Sequence, residues 1–151
     1  MRALIQRVSK GSVSIDDRVV GRISSGLVVL LGVKQGDEVS DAEYLVHKII
    51  NLRIFPDEQG KFNRSALDVD AQLLVISQFT LYADTRRGRR PGFTEAAPPE
   101  QSIPLYEKAV TLFEQSGLTV ACGEFGAHMV VEIINDGPVT IMLDSEDKRK
   151  S

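Results

Sequence analysis

Apolar residues in the first part of the chain are spaced as in β-strands. Strands are predicted at Arg2 to Ser9, Val13 to Ile15 and Arg18 to Ile23. Asp16-Asp17 separates the last two of these segments and predicts a hairpin turn. The run Leu27 to Val33, introduced by Ser25-Gly26, is continuously apolar. An unbroken run of this kind is typical of a strand that is buried on both faces.

The first helical pattern follows a break in the chain at Gly36-Asp37. Ser40 is the predicted helix cap, and Glu43 three residues later completes a capping box. The helix extends to about Arg53, because apolar residues recur at helical spacing at Leu45, Ile49 and Leu52.

The rest of the chain alternates loops and strands and contains one more helix. Ile54 to Leu67 is turn-rich and predicts a loop or hairpin, and the chain after Tyr82 is polar and irregular through Pro99. The second helix is predicted to be capped by Ser102, with Pro104 in its first turn. Its apolar face is formed by Ala109, Leu112 and Phe113. The remaining strands are predicted at Gln72 to Phe79, Leu118 to Cys122, Met129 to Ile134 and Val139 to Leu143.

Many strands and two helices, with no repeat and no linker, predict a single α+β domain. We expect a curved, barrel-like and mostly antiparallel β-sheet core with two helices packed on it. The domain is predicted to span residues 1–144. Residues 145–151 (SEDKRKS) are charged and are expected to form a flexible, solvated tail.

Composition narrows the possible partners. The formal net charge is −3, so any contact with RNA must come from a local basic patch. One cysteine and two histidines argue against a metal site built by the protein, and we expect no metal and no cofactor.

The N-terminal apolar run is broken by Gln6 and Arg7, and the run Leu27 to Val33 is too short to span a membrane. We therefore expect no membrane association and a cytoplasmic protein.

Two polar segments follow or join apolar strands and are candidate sites. Ser77-Gln78-Phe79-Thr80 offers two hydroxyls, an amide and an aromatic face at the end of a buried strand, where a scaffold can present groups to a ligand. The alternative is a plain strand end whose hydroxyls bond local backbone. Asn135-Asp136-Gly137-Pro138 joins two strands, and this composition also fits an ordinary β-turn.

A third candidate is the arginine-rich segment Arg86-Arg87-Gly88-Arg89-Arg90 on an otherwise acidic chain. Planar guanidinium groups suit phosphate and the RNA backbone. A solvated charged loop without a specific role explains the same pattern. Tyr82 and Phe93 flank this segment and could either stack on a base or belong to the core.

Taken together, these segments resemble one family, the D-aminoacyl-tRNA deacylases. The resemblance runs from Met1 to about Asp144, and it rests most on SQFT and NDGPVT at their separation. The matching segments, in family order, are MRALIQRVS (1–9), LLGV (30–33), NLRIF (51–55), SQFTLYADTRRGRRP (77–91), AAPPE (96–100) and NDGPVT (135–140).

The resemblance implies a homodimer with a barrel-like fold and an active site at the dimer interface. It implies that the Gly137-Pro138 bond is cis and reaches into the partner subunit's site, and that Arg7 holds this pair in place. Ser77, Gln78, Phe79 and Thr80 would form the catalytic segment around the terminal adenosine and its ester. The implied substrate-binding residues are Gly137, Pro138, Arg7, Met129, Asn135 and Asp136.

The implied arrangement gives a physical basis for selecting D-amino acids. Two carbonyl groups of Gly137-Pro138 can hold the substrate's α-ammonium by charge-assisted hydrogen bonds. With the ammonium and the ester fixed, a D-side chain points to solvent, whereas an L-side chain collides with backbone. Glycine has no side chain to collide, so we also expect hydrolysis of glycyl-tRNA, including glycine mischarged on alanine tRNA.

Two mechanisms of ester hydrolysis remain open. Backbone N–H groups around Phe79 and Thr80 are the expected oxyanion donors in both. In one mechanism Thr80 Oγ attacks and forms an acyl-enzyme. In the other, which we favour because no base for Thr80 is evident, the 2′-hydroxyl of the tRNA orients or activates water.

Two functions from other classes compete with this hypothesis. A nucleic-acid-binding module would use the arginine segment without catalysis. A general esterase or peptidase would need a nucleophile and base that the sequence does not show, because it lacks both a GxSxG elbow and an evident Ser/His/Asp set.

Overall fold

The computed structural model describes residues 1–149. Its strands are β1 (Arg2–Ile15), β2 (Arg18–Ile23), β3 (Gly26–Gly32), β4 (Phe55–Pro56), β5 (Phe62–Arg64), β6 (Gln72–Ser77), β7 (Val120–Cys122) and β8 (Val130–Asp144). Its helices are α1 (Val39–Asn51), α2 (Ala66–Val69) and α3 (Pro99–Gln115), with 3₁₀ turns at Phe79–Tyr82 and Ser145–Arg149. No helix within residues 1–149 has the length and apolarity needed to cross a membrane.

Strand β1 lies at the centre of the sheet. Residues 2–8 pair antiparallel with β3, residues 11–15 pair with β2 on the same side, and β8 pairs along the other side. The two strands predicted between Arg2 and Ile15 are therefore one continuous strand. The two predicted at the C-terminal end are likewise joined in β8, with an interruption in register opposite Arg7.

The sheet curves into a nearly closed barrel, as predicted. Strand β3 pairs parallel with β6, and β6 pairs parallel with β7, so the sheet is mixed. The free edges of β2 and β7 come close, since a Cβ on Gly21 would lie 2.7 Å from the carbonyl oxygen of Cys122. At the start of β3, a Cβ on Gly26 would lie 1.8 Å from the Gln72 carbonyl oxygen, so only glycine permits this approach.

Apolar side chains pack on both faces of the sheet. The larger cluster lies between the sheet and helices α1 and α3 and includes Leu31, Leu45, Ile49, Leu73 and Phe113. The smaller cluster is formed by Val8, Val13, Ile23, Val28, Leu74 and Ile76. Burial on both faces agrees with the unbroken apolar sequence of β3 and of β6.

Both long helices begin earlier than their predicted caps. The N-cap of α1 is Glu38, which forms a capping box with Asp41, so the box predicted at Ser40 and Glu43 is wrong. Helix α3 begins at Pro99, because proline is favoured in the first turn, where its missing N–H has no helical partner. Ser102 is consequently an interior, buried helix residue rather than a cap.

The segment after β8 is packed against the domain as far as the structure describes it. Ser145 is fully buried; its N–H donates to the Met1 carbonyl oxygen at 2.8 Å, and its hydroxyl accepts from the Met1 ammonium at 2.8 Å. Lys148 Nζ donates to the Asp41 carboxylate of α1. The turn Ser145–Arg149 is thus attached to the domain through Ser145 and Lys148. The flexibility expected of the segment 145–151 stays a prediction, and residues 150–151 lie outside the described residues.

We predict that Asp41→Asn destabilises the protein in a pH-dependent manner. Burial acts to raise the pKa of the Asp41 carboxyl, but hydrogen bonds from Lys148, the Glu38 N–H and Ser145 outweigh it and hold the pKa at about 2. Because the folded pKa lies below the unfolded value of about 3.9, the stabilisation is present above about pH 4 and is lost as the pH falls through about 2.

The measurement is the free energy of unfolding in urea at several pH values. Asp41→Asn should lower it by about 2 kcal/mol at neutral pH, and the difference from the parent should shrink between about pH 4 and 2. Glu43→Gln, on the exposed face of α1, is the control and should change it by less than about 0.5 kcal/mol. A deficit for Asp41→Asn that is independent of pH contradicts this assignment.

Candidate active site

Strand β6 ends in a 3₁₀ turn that presents backbone N–H groups. Ser77 is the last residue of β6, and the Gln78 N–H extends the pairing by donating to the Leu31 carbonyl oxygen at 2.7 Å. The chain then turns, with the Leu81 N–H donating to the Gln78 carbonyl oxygen at 3.3 Å. The first N–H groups of such a turn, on Phe79 and Thr80, have no partner within it. Neither N–H has a backbone partner within residues 1–149, so both can meet a ligand's oxygen.

Arg2, at the start of β1, stabilises this turn through side-chain contacts. Its Nη1 donates to the Leu81 carbonyl oxygen at 2.9 Å and its Nε donates to Asp144 at 3.2 Å. The guanidinium lies 4.6 Å from the centre of the Tyr82 ring. Tyr82 is buried, which raises the pKa of its phenol, and its hydroxyl has no hydrogen-bond partner within residues 1–149. Sequence reasoning missed Arg2, because its contacts are distant along the chain.

A cavity of about 290 Å³ opens beside the end of β6. Three of the sequence-predicted catalytic residues line it, Ser77, Gln78 and Phe79, and so does the predicted binding residue Met129. Further lining comes from residues that the sequence analysis did not select, among them Ser102, Phe125, Gly126, Ala127 and His128. Phe125, Gly126 and Ala127 have no functional side-chain group that would mark them in the sequence, and a single serine or histidine such as Ser102 or His128 is more often structural than catalytic.

Met129 reaches the cavity through a close approach to Gly123. A Cβ on Gly123 would lie 2.5 Å from Met129 Sδ, so a side chain at position 123 would displace the methionine. The neighbouring turn is closed by the Ala127 N–H, which donates to the Glu124 carbonyl oxygen at 3.2 Å. The position of Met129 therefore depends on this close approach and on the hydrogen-bonded turn, and no recognisable sequence motif marks either of them.

Thr80 lies next to the cavity but does not line it. Its side chain is exposed, and its Oγ1 accepts a hydrogen bond from Gln78 Nε2. An amide N–H can donate to this oxygen but cannot take its proton. The contact orients the hydroxyl without making it a better nucleophile.

The second predicted segment forms a loop that leaves the sheet opposite Arg7. Gln6 pairs with Thr140 and Val8 with Asn135, so residues 136–139 of β8 oppose the single residue Arg7. Arg7 Nε donates to the Asp136 carbonyl oxygen at 2.9 Å, and Nη1 donates to the Ile54 carbonyl oxygen at 2.8 Å. The guanidinium also lies 5.5 Å from the centre of the Phe62 ring.

Asn135 closes the base of this loop. Its Oδ1 accepts from the Val139 N–H at 2.7 Å, and its Nδ2 donates to Thr140 Oγ1 at 2.9 Å. The Gly137-Pro138 peptide bond is cis, and Gly137 has a φ of 147°, in the region that favours glycine. Gly137 and Pro138 are both exposed.

The two segments do not meet within one chain. None of Arg7, Asn135, Asp136, Gly137 and Pro138 lines the cavity beside β6. Along β3, Arg7 pairs with Leu27 and Ser77 pairs with Leu31, and these positions are about 13 Å apart at the rise of a β-strand. The chain therefore carries two separate parts of the predicted site, one around the cavity and one on the exposed loop.

The arginine-rich segment forms a closed loop beside the cavity. Asp84 and Gly92 exchange two backbone hydrogen bonds, of 2.7 and 2.9 Å, across its base. Arg86 donates from Nε and Nη2 to the Asp84 carboxylate, both at 2.9 Å, and these contacts hold the pKa of Asp84 at about 2. Phe93 packs edge-on against Phe79 with ring centres 5.0 Å apart.

Two other features bear on possible ligands. Within residues 1–149, no group of three His, Cys, Asp or Glu side chains is placed to hold a metal ion. A larger depression, of about 1030 Å³, is an open groove along α1 lined by residues such as Tyr44 and Lys48. It contains none of the sequence-predicted site residues, so the smaller cavity beside β6 is the better candidate.

Known proteins resemble this chain over nearly its whole length. The family model described as D-Tyr-tRNA(Tyr) deacylase matches residues 4–144. A D-aminoacyl-tRNA deacylase of Heliobacterium modesticaldum is 60% identical over 144 residues, covering 95% of this chain and 96% of the relative. One from Desulforamulus reducens is 61% identical over 145 residues, covering 96% of this chain and 97% of the relative.

Two solved structures have the same fold. The c-Myc DNA unwinding element binding protein superposes with a TM-score of 0.90 at 39% identity, covering 95% of this chain and 98% of the other. A probable eukaryotic D-amino acid tRNA deacylase superposes with a TM-score of 0.82 and the same coverage. At 17% identity, this second likeness concerns the fold alone. With the family model and the bacterial relatives, the chain belongs to the D-Tyr-tRNA(Tyr) deacylase family, whose members are hydrolases of the aminoacyl-tRNA ester bond.

Proposed function

We propose that the protein hydrolyses the ester bond of D-aminoacyl-tRNA in the cytoplasm and releases the free D-amino acid and tRNA. The observation that carries this proposal is the cavity at the end of β6, lined by Ser77, Gln78 and Phe79 in a chain of the deacylase family. The same site accepts glycyl-tRNA, including glycine mischarged on alanine tRNA. No cofactor is required.

The cavity suits the terminal adenosine and its ester. The aromatic rings of Phe79 and Phe125 and the thioether of Met129 offer apolar surface to a nucleobase. The N–H groups of Phe79 and Thr80, at the start of the 3₁₀ turn, are placed to donate to the oxyanion that forms on the ester carbonyl. Gln78 orients the Thr80 hydroxyl at the rim.

The exposed loop at Gly137-Pro138 supplies the chiral selection, and it does so in the partner subunit of a homodimer. Its carbonyl groups hold the α-ammonium of the aminoacyl group, with Asn135 and Arg7 keeping the loop in shape. Two observations support a shared site: Gly137 and Pro138 are exposed, and their own chain's cavity lies elsewhere. A symmetric dimer would bring each loop to the other subunit's cavity.

The 2′-hydroxyl of the tRNA, rather than Thr80, orients or activates the attacking water. The Thr80 hydroxyl accepts a hydrogen bond from an amide that cannot act as its base. Thr80 also lies outside the cavity lining.

We predict that the enzyme distinguishes aminoacyl groups by configuration and not by side chain. D-Tyr-tRNA and glycyl-tRNA should be hydrolysed, and L-Tyr-tRNA at least about 100-fold more slowly, because only the L-side chain meets backbone. The measurement is deacylation of the three matched substrates by the same preparation. Equal rates for D- and L-Tyr-tRNA would favour a general esterase. Failure to hydrolyse glycyl-tRNA would contradict the model in which L-aminoacyl groups are excluded because their side chain collides with backbone.

A subunit-mixing experiment tests whether the loop acts in the partner. Gly137→Ala alters the loop, since its Cβ would lie 2.7 Å from Val139 Cγ2, while Phe79→Ala alters the cavity. Each variant alone should be inactive. After the two are unfolded together and refolded, about one quarter of the parental activity should return, because half of the dimers are mixed and one of their two sites is intact. Refolded single variants are the control, and no recovery in the mixture contradicts a shared site.

The role of Thr80 is tested by pairing a variant with a modified substrate. Thr80→Val should retain most of the activity on D-Tyr-tRNA, while the parent protein should lose activity on a substrate ending in 2′-deoxyadenosine. The measurement is the single-turnover rate of each combination, with Thr111→Val, at an exposed position of α3, as the matched control that should behave as the parent. An inactive Thr80→Val variant together with a rapidly hydrolysed deoxy substrate would assign Thr80 as the nucleophile.

A second candidate function is nucleic-acid binding without catalysis. The arginine loop supports it, and so does the likeness to a structure named for binding a DNA unwinding element. Binding that weakens with salt, without turnover of D-Tyr-tRNA, would favour this function over hydrolysis.

A further inference from the structure

The loop between Asp84 and Gly92, here called the arginine loop, is fixed at its base and free at its tip. Two backbone hydrogen bonds between Asp84 and Gly92 close the base. The residues from Thr85 to Pro91 are exposed, and an added Cβ on Gly88 would meet no atom within 4 Å. The tip therefore contributes little to packing. Its arginine side chains are accessible to a ligand.

The base of the loop lies against the rim of the cavity. Phe93 directly follows Gly92, and its ring packs edge-on against that of Phe79, which lines the cavity. The chain beyond Phe93 is tied down by the Glu95 carbonyl oxygen, which accepts from the Gln35 N–H at 2.9 Å. The loop is thus held in a defined position beside the proposed entrance for the terminal nucleoside.

Charge is distributed unevenly along the loop. Arg86 is engaged by the Asp84 carboxylate through two side-chain hydrogen bonds. Arg87, Arg89 and Arg90 then bring three exposed cations together on a protein whose formal net charge is −3. Such a local concentration of guanidinium groups attracts phosphate despite the overall negative charge.

We propose that Arg87, Arg89 and Arg90 bind the phosphates of the single-stranded 3′ end of the substrate tRNA while its terminal nucleoside enters the cavity. This inference rests on the proposed function and adds a binding surface to it. Phosphate contacts fix the position of a nucleic acid without reading its sequence. The surface therefore suits an enzyme that must accept the common 3′ end of many different tRNAs.

The test compares substrates with and without phosphates. The parent protein and the variant R87Q/R89Q/R90Q are assayed on D-Tyr-tRNA and on the D-tyrosyl ester of adenosine, over a range of salt concentrations. The control R18Q/K48Q/K108Q removes the same charge from β2, α1 and α3. Arg86 is kept in every variant, because it belongs to the base of the loop. Thermal melting verifies that all three proteins are folded.

On D-Tyr-tRNA, the loop variant should show a KM at least about tenfold higher at about 50 mM salt, with kcat changed by less than about twofold. The slope of log(kcat/KM) against log[salt] should become shallower by about two, because three phosphate contacts on a single strand are lost. On the adenosine ester, the loop variant should match the parent. The control variant should resemble the parent on both substrates.

Three outcomes of these kinetic assays would overturn the inference. These are an unchanged KM and salt slope on D-Tyr-tRNA, an equal loss on both substrates, or a control variant that loses as much as the loop variant. A tRNA lacking its last three nucleotides that competes as well as intact tRNA would instead point to duplex binding and also contradict it. Failure of the parent to hydrolyse either substrate contradicts the proposed function itself, and the two failures are therefore distinguishable.

Discussion

The antiparallel pairing of β1 with β8 is the constraint on which both parts of the candidate site depend. The pairing is regular from Arg2 to Gln6, and its register shifts at Arg7. Because β8 has more residues than β1 at this point, the surplus must leave the sheet, and it forms the loop at Gly137-Pro138. Beyond the loop the strands pair again through Val8 and Asn135. Pairing on both sides makes the loop a fixed projection rather than a loose connection.

The same strand supports the other part of the site. Arg2 and Arg7 are an odd number of residues apart in a stretch that pairs regularly with β3, so their side chains leave opposite faces of the strand. Arg2 holds the 3₁₀ turn through Leu81, and Arg7 holds the loop through Asp136. In each case a guanidinium binds a backbone carbonyl oxygen. Damage to β1 would therefore affect the cavity rim and the loop together.

Local patterns predicted the strands and helices well, because burial on a sheet and on a helix leaves different spacings in the sequence. The helix starts were wrong, since Glu38 and Pro98 precede the apolar repeat by which the helices were recognised. The docking of Ser145 was also missed, because its partner Met1 lies at the other end of the chain. Local composition cannot encode a contact of that separation.

Only part of the candidate site could be predicted from the sequence, for a related reason. SQFT and NDGP contain residues that turns and strand ends favour, and only their joint occurrence distinguished them from ordinary turns. Phe125, Ala127 and His128 were not selected, since nothing in their local sequence indicates that the barrel brings them beside Phe79.

On the proposed mechanism, backbone groups rather than side chains meet the parts of the substrate that every amino acid shares. N–H groups at the 3₁₀ turn would bind the oxyanion, and carbonyl groups of the loop would bind the ammonium. Backbone cannot be exchanged by substitution, but its position can be lost when a supporting side chain changes. Arg2, Arg7 and Asn135 are such supports, since each fixes backbone at a distance from the reacting atoms. Selectivity for configuration without selectivity for the side chain would then follow from where these three residues hold the main chain.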